Sequence, residues 1–494
     1  LYPGSVYVFP YHSPQHSTMT PINSGQIPDV SGTANWSLLE IAAIPLLILY
    51  IVVVFMVSTG FYQILTNFND KAQRELSGLA EATAADFEGV TILRPLKGVD
   101  SEMEWCLEAS FKQGYPREKL EIIFCVQNEG DPSIPIVMKL IAKYPDVDAK
   151  LLIDADQQHH DYFGPNPKVN NLHKGYKSAK YDLLWVLDSN VFTPADVLKR
   201  SVYTLRNGLN NGSSLTTLFD PKKTVKLVTH VPIVMSHSMD TINWGAKLDE
   251  MFMSTSHAKF YVALNRIQPA PCVNGKSNLY RRSDLDQAVM NITGEGSRGS
   301  PGDGLKHFAK YIGEDNMIGI ALWDGVGGCA GMSKDMVFQP IGGQNSVRDY
   351  MDRRIRWLRV RKYMVLAATL IEPTTESFMS GIIGSFAINV TFRGGKHIWW
   401  TWLFVHMLLW YIIDFVQFRA IHRHSERLSV WCETLRPSAS YPGREVYSPL
   451  EFTKFWMLRE TLAFPIWVLA MAGSGIEWRG QQFKILSDLT AERL

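Results

Sequence analysis

At 494 residues, the chain has enough sequence for a large core and for further segments outside it. A formal net charge of +1 excludes the basic field that gathers nucleic acid, so no nucleic-acid partner is expected. Five cysteines, odd in number and without a C-x-x-C pair, fit a reduced, cytosol-facing body without a structural zinc site.

Residues 1–36 are rich in Pro, Ser, Thr and His and hold no Lys or Arg, which predicts a disordered tail. Residues 37–66 read as a transmembrane signal anchor. Ile41 to Thr66 carries no charge, and at roughly 1.5 Å per residue it spans a hydrocarbon core of about 30 Å. Lys71 and Arg74 follow at once, so the tail is expected on the lumenal side and the next domain in the cytosol. Fourteen Trp in the chain agree with a membrane setting, because Trp and Tyr collect at membrane interfaces.

Residues 89–343 alternate strand-like and helix-like segments, the pattern of an α/β domain. Val90 to Leu96, Glu121 to Gln127 and Ala149 to Ile153 read as strands, with helices over Met103 to Gln113, Ser133 to Tyr144 and Asn170 to Lys180. The domain is organised around Tyr181 to Asn190. Leu183 to Leu187 is apolar without alternation, as expected of a strand buried on both faces. It stops at Asp188, and Thr193-Pro194 then signals a helix start. Residues 348–366 crowd arginines among apolar residues and predict a basic interfacial helix. Residues 377–476 hold three apolar stretches, about three spans or re-entrant helices, of which His397 to Ile413 is the fullest. Residues 477–494 read as a C-terminal tail.

No Walker loop, H-E-x-x-H or G-x-S-x-G occurs, so P-loop, zincin and serine-hydrolase chemistry have no support. In an open α/β sheet, ligands bind beyond the carboxyl ends of the strands. Asp188 stands there and can hold a divalent cation, Mg²⁺ or Mn²⁺, against a diphosphate, although Asp-Ser-Asn alone is also an ordinary turn. Asp154-Ala155-Asp156, followed by His159-His160, is the weaker metal candidate and fits a solvated loop. Asp100, at the same rim, can accept a hydrogen bond from a nucleotide base. Glu314-Asp315 precedes an apolar helix, where acids either cap the helix or take a proton from an attacking hydroxyl. Arg353-x-x-Arg356-Trp357 sets two cations about one turn apart beside an aromatic plate. They suit either a diphosphate or a membrane surface.

In this order, these residues resemble ceramide glucosyltransferases, a branch of the inverting nucleotide-sugar transferases related to cellulose and hyaluronan synthases. The likeness runs from about Glu88 through the C-terminal spans. Its markers are Arg94-Pro95-Leu96-Lys97-Gly98-Val99-Asp100, Pro167 to Leu172, Ala179 to Asp188, Thr255-Ser256-His257, Gly313-Glu314-Asp315 and Arg353 to Trp357. The resemblance implies a GT-A-like nucleotide-sugar-binding domain with N-terminal and C-terminal transmembrane helices. It implies transfer of glucose from UDP-glucose to the primary hydroxyl of ceramide, with inversion, at a Golgi or ER membrane. Asp315 would be the base, with Arg353, Arg356 and Trp357 beside it in the catalytic set. Asp100 and Asp188 would bind the donor, Asp188 through the metal, and His257 would lie near the acceptor. Asn190 departs from a generic D-x-D, so the expected metal grip is either weaker or includes an amide oxygen. The rivals are a polysaccharide synthase, which needs spans that line a channel, and a non-catalytic lipid-binding membrane protein, which would be expected to have lost the acids.

Overall fold

The computed structural model describes residues 37–83, 87–154, 162–210, 213–214, 222–236, 244–294, 302–341, 345–392, 396–435, 447–478 and 480–494. The predicted N-terminal tail, Asp156 and the His159-His160 pair lie outside them.

Helix α1 (Leu38–Asn67) starts at a capping box, Ser37 accepting from Glu40 N while Glu40 returns a bond to Ser37 N. A short helix α2 (Asp70–Glu81) leads to the sheet. There follow β1 (Val90–Leu96), α3 (Met103–Phe111), β2 (Leu120–Val126), α4 (Ile134–Lys143), β3 (Asp148–Ile153), α5 (Pro167–Ser178), β4 (Leu183–Leu187) and α6 (Val197–Arg206). The expected helix start at Thr193-Pro194 is displaced. Gln113 Nε2 holds the Thr193 hydroxyl and the Pro194 carbonyl, and α6 opens three residues after Pro194. A two-strand ribbon, β5 (Leu209–Asn210) with β6 (Ser213–Ser214), precedes β7 (Thr224–Ser236). Then come α7 (Trp244–Phe252), a π-helical turn over Met253–His257, α8 (Ala258–Ile267), β8 (Ser277–Arg281), α9 (Arg282–Thr293), α10 (Glu314–Gly325) and β9 (Gly328–Ile341).

Seven strands form one sheet in the order β3-β2-β1-β4-β8-β7-β9. β3, β2, β1 and β4 run parallel, β8 runs antiparallel to β4 and β7, and β7 pairs parallel with β9. Mixed pairing around a parallel core is the GT-A-like arrangement expected. Why the central strands lack polar alternation is plain from the packing. Leu183, Trp185 and Leu187 enter one core with Ile122 and Phe124, while Leu184 and Val186 enter the other with Ile123 and Leu93. Both faces are covered, so every position is apolar. β1 and β4 are in register from Val90 opposite Leu183 to Leu93 opposite Val186, so both deliver their following loops to the same rim.

The C-terminal part holds α11 (Val347–Met364), α12 (Leu366–Ile371), α13 (Ser377–Thr391), α14 (Lys396–Leu435) and α15 (Pro449–Met471). Among the described residues, two helical stretches are long and apolar enough to cross a membrane, Leu38–Asn67 and His397–Arg423. α13 is apolar but has only 15 residues.

Two expectations need correction. Residues 477–494 are not a tail, because β10 (Gly475–Trp478), β11 (Gln481–Ile485) and β12 (Ala491–Arg493) form an antiparallel sheet. Ile476, Phe483 and Ile485 bury against Ile312, Val360 and Tyr363. Nor do the arginines of α11 simply snorkel from an interfacial helix. Arg353 pairs with buried Asp249, Arg354 and Arg361 with Glu372, and Arg359 bonds the carbonyls of Gly475 and Leu469. Buried guanidinium groups need such partners, and these are supplied by α7, the turn after α12, the end of α15 and the C-terminal sheet.

Candidate active site

The site begins with a helix start. Asn166 caps α5, its Oδ1 accepting from the backbone of Lys168 and Val169, and Pro167 occupies the first turn. That geometry sends Lys168 Nζ to Asp188 Oδ1 at 2.8 Å, just beyond the end of β4. The same ammonium reaches Glu314 Oε1 at 3.0 Å and the Gly275 carbonyl at 3.2 Å. Asn166 Nδ2 completes the link, donating to Glu314 Oε2 at 2.9 Å and to the Tyr311 carbonyl.

The second oxygen of Asp188 is also taken. Lys276 Nζ lies 3.0 Å from Asp188 Oδ2 and 3.4 Å from Asn190 Oδ1. The backbone locks this pair, Asp188 N donating to the Lys276 carbonyl. Burial opposes charge on Asp188, but the two ammonium groups outweigh it and hold the carboxyl well below the usual range. Burial also opposes charge on Lys168, and Asp188, Glu314 and Asp315 together reverse that and hold the ammonium strongly protonated.

Beneath this turn, buried Arg94 donates to the carbonyls of Asp188 (2.6 Å), Val191 (2.9 Å) and Cys106 (2.9 Å). Asp100 joins the same rim, its Oδ2 accepting from Ser189 Oγ at 2.6 Å. Asp100 and Asp188 are therefore brought together as the strand ends predicted.

Asp315 sits in the first turn of α10, and Gly313, not an acid, is the N-cap. The capping role left open by the sequence is thus not the one Asp315 performs. Desolvation in the recess pushes its pKa up to about 7, helped by neighbouring Glu314 and limited by Lys168. A Cβ built on Gly275 would lie 3.2 Å from Lys168 Nζ and 3.3 Å from Asp315 Oδ2, so a side chain there would crowd both groups. Asp188, Lys168, Glu314 and Asp315 form one cluster.

The remaining predicted residues are arranged around it. His257 ends the π-helical turn, stacked on Tyr261 at 5.3 Å, and its Nδ1 is buried without a hydrogen-bond partner among the described residues. Burial, with Arg354 and Arg361 adding to it, lowers its pKa to about 3, so the imidazole is neutral. Tyr261 and Cys272 both feel the charge of Asp315, which places the His257 wall beside that carboxyl. Arg353 is committed to Asp249, whereas Arg356 Nη1 bonds the Glu477 carbonyl at 3.3 Å. Trp357 packs among the apolar side chains of α11, α7 and α15, with the Arg354 guanidinium 5.9 Å from its ring. In the competing motif, Asp154 is paired to Lys174.

Whether a divalent cation suits this chemistry can be judged from the donors. No group of three or more His, Cys, Asp or Glu is placed to hold a metal among the described residues. Asp188 and Asn190 nevertheless offer two hard oxygens on one turn. Mg²⁺ commonly needs only one or two protein oxygens when substrate phosphates supply the rest. The residues fit a cation that arrives with a diphosphate.

Comparison with known proteins then decides the family. The sequence model described as glycosyl transferase family 21 matches residues 49–491. The chain belongs to that family. A ceramide glucosyltransferase of Candida albicans is 42% identical over 91% of this chain and 97% of its own length. One from Komagataella phaffii is 45% identical over 94% of each chain. A third, from Gibberella zeae, is 33% identical over 92% of this chain and 94% of its own. The solved mannosyltransferase PcManGT from Pyrobaculum calidifontis is a distant neighbour, at 15% identity and a TM-score of 0.38 over 88% of this chain and 98% of that one. Lys168, Lys276, Arg94 and Asn166 are the site residues that motif reading did not single out. For Asn166 the signal existed, since Asn-Pro opening a helix marks a cap.

Proposed function

We propose that this family 21 glycosyltransferase moves glucose from UDP-glucose to the primary hydroxyl of ceramide, releasing UDP and the β-glucoside. The observation that carries the reading is Asp315, a carboxyl pushed up to about 7 beside Glu314 and Lys168, the lysine that pairs with Asp188 at the strand-end crevice. A base with that pKa is half-ionised near neutral pH, where general-base transfer is most effective. The acceptor hydroxyl gives its proton to an Asp315 oxygen while its own oxygen bonds to the anomeric carbon. The bond from that carbon to the phosphate oxygen breaks on the opposite face, and the electron pair leaves with UDP.

Asp188, with Asn190, would hold Mg²⁺ or Mn²⁺. When bound, such a cation neutralises charge on the leaving diphosphate. Asp100 orients the nucleotide. Arg356 would offer its planar guanidinium to the diphosphate, whereas Arg353, paired with Asp249, holds α11 in place. His257 and Trp357 border the lipid acceptor.

The test is a membrane preparation offered labelled UDP-sugars with ceramide, followed by lipid extraction. Label should enter a glucosylceramide from UDP-glucose only, and a lipid phase without label from any donor would sink the reading. We place the catalytic domain on the cytosolic face of a Golgi or ER membrane, because Lys71 and Arg74 follow α1 and none of residues 1–37 is Lys or Arg. Protease added to sealed microsomes should therefore digest residues 89–343, and full protection would reverse the orientation.

A further inference from the structure

The two lysines on Asp188 are not equivalent. Lys168, on Oδ1, is also bonded to Glu314 and to the Gly275 carbonyl, so it stays in place whatever happens at Asp188. The ammonium of Lys276, on Oδ2, has among the described residues only the amide oxygen of Asn190 as further polar partner, at 3.4 Å. Those two oxygens, Asp188 Oδ2 and Asn190 Oδ1, are the ones a divalent cation would take. The side chain of Lys276 is 22% exposed and its backbone is fixed to that of Asp188, so its ammonium cannot drift far from the same point.

We propose that Lys276 is a built-in cation of the diphosphate site, competing with the metal for Asp188 and binding the donor's diphosphate when released from it. The proposal rests on the reading of Asp188 as the diphosphate pole of the crevice. Four flexible carbons and three ammonium donors allow the group to turn from a carboxylate oxygen to a phosphate oxygen without movement of β8. The enzyme would then grip a nucleoside diphosphate without added metal, and the metal would have to displace Lys276 before reaching Asp188 Oδ2.

Lys276→Met separates these effects, because it keeps most of the apolar stem and removes the ammonium with its charge and donors. With purified full-length protein in detergent micelles, UDP binding in EDTA should weaken about tenfold, the size of one lost charge-assisted hydrogen bond. Mn²⁺ binding in the absence of nucleotide should tighten by about fivefold, since one competing ion pair is gone. Lys276→Arg should keep metal-free UDP binding within about twofold of the parent. Thermal unfolding of both variants checks that the fold is retained. Unchanged UDP binding in EDTA overturns the proposal. So does weaker binding of both UDP and Mn²⁺, which would mean that Lys276 merely orients Asp188. Asp188→Asn is the control on the underlying reading. If it leaves UDP binding with Mn²⁺ intact, the diphosphate site lies elsewhere, whatever Lys276 does.

Discussion

Asp315→Asn is expected to slow single-turnover transfer by about 10²–10⁴-fold, the usual contribution of a general base, while donor affinity changes little. The amide occupies the same space in the first turn of α10 and leaves Gly313 as the cap, so the helix start survives. It has no basic oxygen able to take the ceramide proton. On the proposed reading donor affinity rests on other groups, chiefly Asp188, Asp100 and Arg356, and should be measured on the same folded sample. In the parent enzyme, kcat/KM should fall with acid below pH about 7, tenfold per unit, because only ionised Asp315 accepts a proton. This limb should vanish in the variant.

The sign for stability runs the other way. The folded carboxyl titrates near 7 and an unfolded one near about 4. Between those values the folded chain holds a proton that the unfolded chain has lost, so this group's contribution falls as pH rises through the window. Above pH 7 the parent carries a disfavoured buried charge, and Asp315→Asn should melt at the same temperature or higher. A loss of stability with an unchanged rate would make Asp315 structural and leave Glu314 or His257 as the base.

How far the sequence carries depends on whether a signal is local. The central strand is legible because five apolar residues between polar turns have few other readings, and its end fixes Asp188 at the rim. Asp100 follows for the same reason. Lys276 is invisible by such means, since it lies 88 residues from Asp188 and meets it only because β8 returns antiparallel beside β4. Lys168 is one lysine among many until the cap at Asn166 aims it. The C-terminal strands fail for a different reason. They have three to five residues with polar faces, and their core is borrowed from Ile312, Val360 and Tyr363, far away in sequence. Periodicity cannot report a surface that another segment completes. Membrane helices lie between these cases. The apolar run of α14 is plain as far as Ile413, but Asp414 ends any reading by charge, and only packing shows the helix continuing.

Asp414 leads to the second large effect, expected for Arg459→Met. Arg459, 1% exposed, donates to Glu376 Oε2 at 2.7 Å, lies 3.4 Å from Asp414 Oδ2, and is bonded to Glu460. Asp414 also takes buried Lys259 of α8 and the indole N–H of Trp456, at 2.8 Å. Glu376 accepts from Ser256 Oγ at 2.6 Å, in the π-helical turn that ends with His257. Removing the one guanidinium leaves three buried carboxylates, and among the described residues the one ammonium bonded to any of them, Lys259, bonds only Asp414. Breaking a buried charge network from one side typically costs about 3–5 kcal/mol, a large part of the stability of most domains. Arg459→Met should therefore unfold at a markedly lower temperature in detergent, with the wall at Ser256-His257 loosened even below that temperature. Neutralising its other partners as well, by Glu376→Gln and Glu460→Gln in the same chain while Asp414 keeps Lys259, should recover much of the loss, because the cost is unpaired charge and not lost volume. A single variant within about 0.5 kcal/mol of the parent would show that water or lipid headgroups reach these carboxylates, and that the network does not join the catalytic domain to its membrane helices.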